Sequence, residues 1–586
     1  MARRHWTSCA ATAAICGMSI EMTDRPLSAN ERIKENSRFL RGTIAEGLII
    51  PETGAIADDD QQLTKFHGIY LQDDRDLRAE RGRQRMEKAF IFMARMRVPS
   101  GILTPVQYLA ADRMARERGN GTLRFTTRQT IQFHGIIKSN LRPLIQGLHT
   151  EMLDTIAACG DVNRNVCASV DPWRRAGHAA VSKLAGDIAT HLLPRSRAWH
   201  EIWIGEERVA GGVEEDEPIY GRTYMPRKFK IGVALPPHND VDVFAQDLSF
   251  VAIEQRRKIV GYDVVVGGGM GMTHGEPETY PRAGNVIGFC KPEHAIAVAE
   301  AVVTTQRDHG DRSNRKQARL KYTIDRMGLD TFVAGLNQRL AVKLQPAKGF
   351  SFTSTGDRLG WAEDETGQHH VTLFIENGRV AGQARDGLRE IAALNIGRFI
   401  ITPNQNLVLA DIPGGQKAKI AALLHEYGLD RQVGGLRRNA IACVALPTCG
   451  LALAESERYL PSLVTRLEAE LETCGLADAD ITIRMTGCPN GCARPYMSEI
   501  GLVGRSPGLY NLYLGGAHDG SRLSKLHGRD VDNEAIVATL RPVFAAYATD
   551  RKQNETFGDF VIRAGIVART VAGLDFHENL APALRT

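Results

Sequence analysis

Two stretches of this chain share a pattern at an offset of 276 residues. Gly121 to Ile136 reads GTLRFTTRQTIQFHGI, and Gly397 to Ile412 reads GRFIITPNQNLVLADI. Gly121/Gly397, Thr126/Thr402, Gln129/Gln405 and Ile136/Ile412 coincide, and the same offset carries Asn163 to Asn439 and Cys167 to Cys443. A common register with helix-like stretches on both sides indicates a duplicated fold. Duplication constrains the chain strongly, because two copies must pack together and each offers a pseudo-equivalent site. With 586 residues there is room for about three or four domains.

The copies have diverged unequally. Read with a strand period of two, Thr122, Arg124, Thr126, Arg128, Thr130, Gln132 and His134 share one face, opposite Leu123, Phe125, Ile131 and Phe133. In the second copy Arg124 becomes Ile400, Arg128 Asn404, Gln132 Val408 and His134 Ala410. The first face is either the solvated side of an edge strand or a cationic wall for a polyanion. Its lack of Asp and Glu favours the wall, since solvated faces mix signs. Other basic residues have similar settings. Arg95 and Arg97 stand beside a Pro-Ser-Gly turn, Arg164 lies between asparagines in DVNRNV, and Arg227 precedes Lys228 and Lys230 at the start of an apolar strand. Two lysines on one face can also merely protect a sheet edge. Val264 to Met272 (VVVGGGMGM) reads as a buried strand feeding a glycine loop without dinucleotide-binding spacing, and Arg312 to Tyr322 reads as a basic helix.

The cysteines divide the opposite way. Cys443 and Cys449 form a C-x5-C pair, and Cys488 and Cys492 a C-x3-C pair within RMTGCPNGCARP. Cys449 maps back to Trp173, and no C-x3-C follows in the first half. Four thiolates in two pairs suit an iron–sulfur cluster or zinc, with coincidence the third option. Zinc sites usually space each pair by about two to four residues, so C-x5-C favours the cluster. Gly487, Gly491 and Pro489 would let backbone N–H groups approach cluster sulfides. Cys159, Cys167, Cys290 and Cys474 read as small buried hydrophobes.

Composition excludes some classes. The chain is 43% apolar and 24% charged with net charge +5, which is ordinary for a globular protein and argues against nucleic acid. A zinc-stabilised RNA binder would want aromatic residues beside the basic ones, yet aromatics make up only 6%. No run of 18 apolar residues is present, so no membrane helix is expected. Near the N-terminus, Arg3 and Arg4 precede a small-residue run, Cys9 to Met18, that lacks Leu, Val and Phe, and no Ala-x-Ala site follows it. This resembles a signal peptide only weakly. A cytoplasmic protein is expected, with an untidy leader or a start at Met18 or Met22, and stable disulfides are then disfavoured.

With these stretches in hand, the chain resembles the siroheme-dependent sulfite and nitrite reductases, and within them the haemoprotein subunits of the NADPH-dependent assimilatory branch. The cysteine pairs, FTTRQTIQFHG, DVNRNV, PRKFK and FHGIYLQDDRDLRAER carry the likeness, which runs from about Asn30 to Val571. Gly450 and Ala493 depart from the usual Pro and Gly. The resemblance implies that Cys443, Cys449, Cys488 and Cys492 hold one 4Fe–4S cluster and that Cys492 also bridges to the iron of one siroheme. It implies Arg95, Arg164, Lys228 and Lys230 around the substrate, sulfite. Arg124, Arg128, Arg227, Arg315 and Lys316 are the candidates for the siroheme carboxylates, with Gln132 and His134 as hydrogen-bonding partners. The insert Val444–Ala445–Leu446–Pro447–Thr448 is of the sulfite rather than the nitrite type. No flavin or dinucleotide domain is evident, so electrons are expected from a separate NADPH-dependent flavoprotein (alpha) subunit, with ferredoxin as runner-up. Sulfite reduction in cysteine biosynthesis is the implied role.

The implied architecture is α/β (α+β, with mixed sheets): three domains, a pseudo-twofold repeat and cofactors at the domain junction. Residues 1–89 would be a leader and arm. Residues 90–155 with 355–428 would form a paired domain of ferredoxin-like halves, 156–354 the siroheme and substrate domain, and 429–586 the cluster domain.

Overall fold

The computed structural model describes residues 25–195, 202–204, 207–210, 217–573 and 576–577; the N-terminal run with Cys9 and Cys16 lies outside them. Two antiparallel five-stranded sheets express the repeat. The first runs in the order Ile69–Asp73, Phe90–Arg95, Ile131–Ile136, Leu123–Phe125, Arg379–Val380. The second runs Gly360–Glu363, His369–Leu373, Leu407–Ile412, Arg398–Ile401, Ile102–Leu103. Each half thus lends a two-residue strand, the one before its hairpin, to the other half's sheet: Arg379 pairs with Arg124, and Ile102 with Ile400. The edge strand Ile69–Asp73 comes from the segment read as an arm.

The repeated glutamines hold this exchange together. Gln129 and Gln405 both have positive φ, 53° and 71°. The Gln129 amide donates to the carbonyls of Ser100 (3.1 Å) and Ile401 (3.0 Å), and Gln405 to those of Asn377 (3.3 Å) and Phe125 (3.3 Å). The threonines are equivalent too. The Thr126 hydroxyl accepts from the N–H groups of Arg128 and Thr130, and the Thr402 hydroxyl from those of Asn404 and Asn406. These local bonds turn the chain, so each repeated stretch is a hairpin, not the continuous strand read from its alternation. The alternation survives because Arg124 pairs with Gln132 across the hairpin. The stretch read as a basic helix also differs: Arg315–Gln317 is a 3₁₀ turn, and the helix is Leu320–Met327.

The duplication reaches further than the sequence pattern. A third sheet orders Cys167–Ala168, Ile231–Ala234, Leu248–Gln255, Lys258–Val266 and Asn285–Cys290 as consecutive neighbours. A fourth does the same with Ala440–Ala442, Ile483–Thr486, Ile500–Ser506, Leu509–Leu514 and Lys525–Val531. In both, two parallel pairings precede two antiparallel ones. Ile231 faces Leu248 as Ile483 faces Ile500, so here the copies are offset by 252. On that offset Asp242 and Arg494 are equivalent. Both have positive φ (49° and 58°) and open a short 3₁₀ turn. They also touch: the buried Asp242 carboxylate accepts from Arg494 Nε, and from Arg484 Nη1 at 2.6 Å.

Three large apolar cores underlie these sheets. One draws on residues 40–344, one joins 56–153 to 371–429, and one lies within 436–567. The strand exchange leaves no room for a side chain where it turns. A Cβ on Gly101 (φ 71°) would lie 2.3 Å from the Ile401 carbonyl oxygen, and one on Gly378 (φ 73°) 2.4 Å from that of Phe125. Gly101→Ala and Gly378→Ala should each cost at least about 1–3 kcal/mol, read as a lowered thermal transition. Gly82→Ala, in an exposed helix with open space around it, should not lower it.

Candidate functional site

Arg164 and the two lysines are brought together by backbone pairing. Phe229 N donates to Val162 O (3.1 Å) and Arg164 N to Phe229 O (3.0 Å), which sets Arg164 beside Lys228 and Lys230. The Arg164 guanidinium donates to the Tyr70 hydroxyl at 3.3 Å. Arg95 Nη1 donates to Cys159 Sγ at 2.9 Å. With its amide oxygen turned toward Arg95, Gln132 accepts from Arg95 Nε at 3.3 Å and from Nη2. The edge strand, its neighbour Phe90–Arg95 and the first hairpin thus bring Tyr70, Arg95 and Gln132 to the recess that holds Arg164, Lys228 and Lys230.

The recess is short of negative charge. Burial, then Arg227, pushes the Lys228 ammonium far below its ordinary range; burial, then Arg319, does the same to Lys230. Lys65 falls to about 8 through burial and Arg315, and Arg227 to about 10 for the same reasons. His134 is 3% exposed, and burial with Arg379, Arg124 and Arg95 nearby holds it neutral. Neither His134 ring nitrogen has a hydrogen-bond partner, and neither do the buried Nε atoms of Arg128 and Arg164. Crowded cations and orphaned donors fit an anion-binding site.

The remaining candidates are partly occupied. Arg124 donates to Glu457 and to the Ala442 carbonyl. Arg128 reaches Gln246 and the Asn165 and Ile231 carbonyls. Arg315 makes a two-pronged pair with Asp161 (2.7 and 3.1 Å), beside Arg227 at 3.9 Å. Lys316 is paired with Glu276 on an exposed surface. Tyr70, Cys159, Lys65 and Arg319 were not singled out from the sequence, although Tyr70 and Lys65 lie within or beside FHGIYLQDDRDLRAER.

The four paired cysteines are neighbours. Burial and then Cys492 raise the thiols of Cys443, Cys449 and Cys488, the last to about 12. Among the described residues no three His, Cys, Asp or Glu side chains form a group that could hold one metal ion. Cys492, the exposed member, is tied to the first hairpin: Thr127 Oγ1 donates to the Cys492 carbonyl (3.2 Å), and Arg494 Nη1 to the Thr127 carbonyl (3.0 Å). The thiols of one copy thus meet the cations of the other.

The pseudo-equivalent location has lost this character. Pairing registers carry Arg95 onto Thr372 and Lys228 onto Asp480, and these line a separate cleft of about 420 Å³. Ile400, Val408 and Ala410, counterparts of Arg124, Gln132 and His134, instead form a small apolar cluster with Ile102 and Val170.

The fold and site define a duplicated α/β protein with ferredoxin-like halves. A model described as "Nitrite/Sulfite reductase ferredoxin-like half domain" matches residues 83–150 and 362–427, and one described as "Nitrite and sulphite reductase 4Fe-4S domain" matches 185–344. The Sulfite reductase (NADPH) hemoprotein beta-component of Methylobacterium nodulans is 59% identical over 94% of this chain and 93% of its own. That of Shouchella clausii is 53% identical over 95% and 98%. The Mycobacterium tuberculosis NirA protein superposes with a TM-score of 0.75 at 25% identity, covering 92% of this chain and 96% of that one. The chain belongs to the nitrite and sulfite reductase family. Among the described residues no helix is long and apolar enough to cross a membrane.

Asp161 supports the recess from behind. Burial alone would raise its carboxyl, but Arg315 and Lys34 outweigh burial and hold it well below the usual range. A depressed folded value stabilises the protein above the unfolded pKa of about 3.9, and that contribution is lost as pH falls through the lower folded value. Asp161→Asn should therefore flatten the acid limb of a stability–pH curve. At neutral pH it should cost about 1–3 kcal/mol, because Arg315 loses its two-pronged partner while Lys34 keeps Glu31.

Proposed function

We propose that this chain is the haemoprotein component of a cytoplasmic assimilatory sulfite reductase, reducing sulfite to sulfide with electrons from NADPH through a separate flavoprotein subunit. Cys443, Cys449, Cys488 and Cys492 would hold one 4Fe–4S cluster, and Cys492 would also join it to one siroheme. The observation that carries the reading is the meeting of the Cys492 loop with the uncompensated cations of the first copy. Four neighbouring thiols in C-x5-C and C-x3-C pairs suit a cluster better than zinc. The relatives' names support sulfite as substrate and a partner subunit.

Siroheme, when bound, supplies an electron-rich iron and eight carboxylates. Arg124, Arg128, Arg227, Arg315 and Lys316 would face those carboxylates, with Gln132 and His134 as hydrogen-bonding partners. An arginine engaged on one edge keeps further N–H groups for a second partner. Arg95, Arg164, Lys228 and Lys230 would bind sulfite and offset its charge. Hydrogen sulfite takes up six electrons and six protons to give hydrosulfide and three waters. The lysines suit the proton transfers, because burial and then crowding by other cations make each a readier acid than a free ammonium group.

Lys230→Met and Arg164→Ala should each slow sulfite turnover about 10²–10³-fold with the siroheme absorption bands retained. Cys492→Ser should disturb both cofactors, and Cys474→Ser neither. Fully loaded protein should contain about five iron atoms per chain; a value near ten with two sirohemes would show a second live site. The purified chain should not oxidise NADPH alone. Adding the flavoprotein should restore turnover, whereas restoration by ferredoxin only would reassign the donor.

A further inference from the structure

The segment entering from the edge strand Ile69–Asp73 reaches the C-x5-C loop through one residue. Arg75 N donates to the Pro447 carbonyl at 3.2 Å. Its Nη1 donates to the carbonyls of Cys449 at 3.3 Å and Ala452 at 2.6 Å. Three carbonyls of one loop thus find their partner on a single residue more than 370 positions earlier. Arg75 itself is held in place. Asp74 N bonds the Ala89 carbonyl on one side, and at the strand end Arg78 grips Asp73 with bonds of 2.5 and 2.7 Å. The loop needs this support. Gly450 and Leu451 project into solvent, Leu451 at 66% exposure. Within the loop, the Cys449 and Ala452 N–H groups bond the local carbonyls of Ala445 (2.9 Å) and Cys449 (3.1 Å), and the next anchor lies beyond it, where the Leu453 and Ala454 N–H groups bond the Gly487 carbonyl (2.7 and 3.1 Å).

We infer that Arg75 is a positioning residue for the cluster: it fixes the loop that carries Cys449 and sets a permanent positive charge beside that ligand. This rests on Cys449 being a cluster ligand. A guanidinium on the ligand's own carbonyl restrains the thiolate as partners behind a metal ligand do, and such partners typically contribute about 10–100-fold in metal affinity. A nearby cation also favours the more negative, reduced state of a cluster. The neighbouring Asp76–Arg458 pair (2.6 Å) spans the same two segments but is largely exposed on both sides, so it contributes little.

The test uses full-length holoprotein. Arg75→Met should release iron to a chelator about tenfold faster and shift the cluster midpoint, followed by electron paramagnetic resonance, to more negative potential. Arg75→Lys should restore the potential but only part of the slow release, since one ammonium group cannot span both carbonyls as a guanidinium does. It also provides a second variant if the methionine chain does not fold. Arg458→Ala should leave both readouts unchanged. An unchanged release rate and potential in Arg75→Met would overturn the inference, as would equal acceleration in Arg458→Ala, which would assign the effect to general docking of the segment. Cys449→Ser tests the underlying reading separately: full iron retention there would show that Cys449 is not a ligand, whatever Arg75 does.

Discussion

A buried carboxylate between two arginines sits where the two copies of the fold meet. Asp242 and Arg494 occupy equivalent positions in the duplicated topology, with the same positive φ and the same short turn after them. In a strictly symmetric pair, like would face like at this point, and two aspartates or two arginines would repel. Divergence has made the contact complementary instead, and Arg484 adds a second bond to the same carboxylate. All three groups are almost wholly buried, so removing one would strand charge in the interior, at a cost of about 3–5 kcal/mol. The contact also sets chemistry in place. Arg494 lies two residues beyond Cys492 and bonds the Thr127 carbonyl, while Thr127 bonds the Cys492 carbonyl. The join between the copies is thereby the join between thiols and cations.

Asymmetry of content within symmetry of form is the organising fact. One hairpin keeps Arg124, Gln132 and His134; its twin keeps Ile400, Val408 and Ala410, closed into an apolar cluster. Apolar packing of that cluster needs no ligand, whereas orphaned nitrogens on His134 and Arg128 call for one. The cationic face thus lies on one side of the axis, and its counterparts Ile400, Val408 and Ala410 pack as apolar groups on the other.

Much of this was legible in the sequence, because its carriers are local. Cysteine spacing, a charged face without acids and a repeat at constant offset survive as text. The hairpin turn at Thr126–Thr130 was not visible: it contains no glycine, and its reversal depends on a threonine hydroxyl and on Gln129 at positive φ. The equivalence of the third and fourth sheets was hidden because the offset drops from 276 to 252 between them, so no single alignment shift shows both. Tyr70 was passed over, and Cys159 read only as a small buried hydrophobe, because their significance lies in contacts with Arg164 and Arg95, made across long sequence separations.

The exchanged strands bear on how the chain comes to be built. The first sheet lacks its fifth strand until Arg379–Val380 arrives, more than 250 residues after Leu123–Phe125. During synthesis the first half must wait, its edge open, until the start of the second has left the ribosome. The Cys492 loop emerges later still. The meeting of the first hairpin with the Cys492 loop is therefore made only late in synthesis.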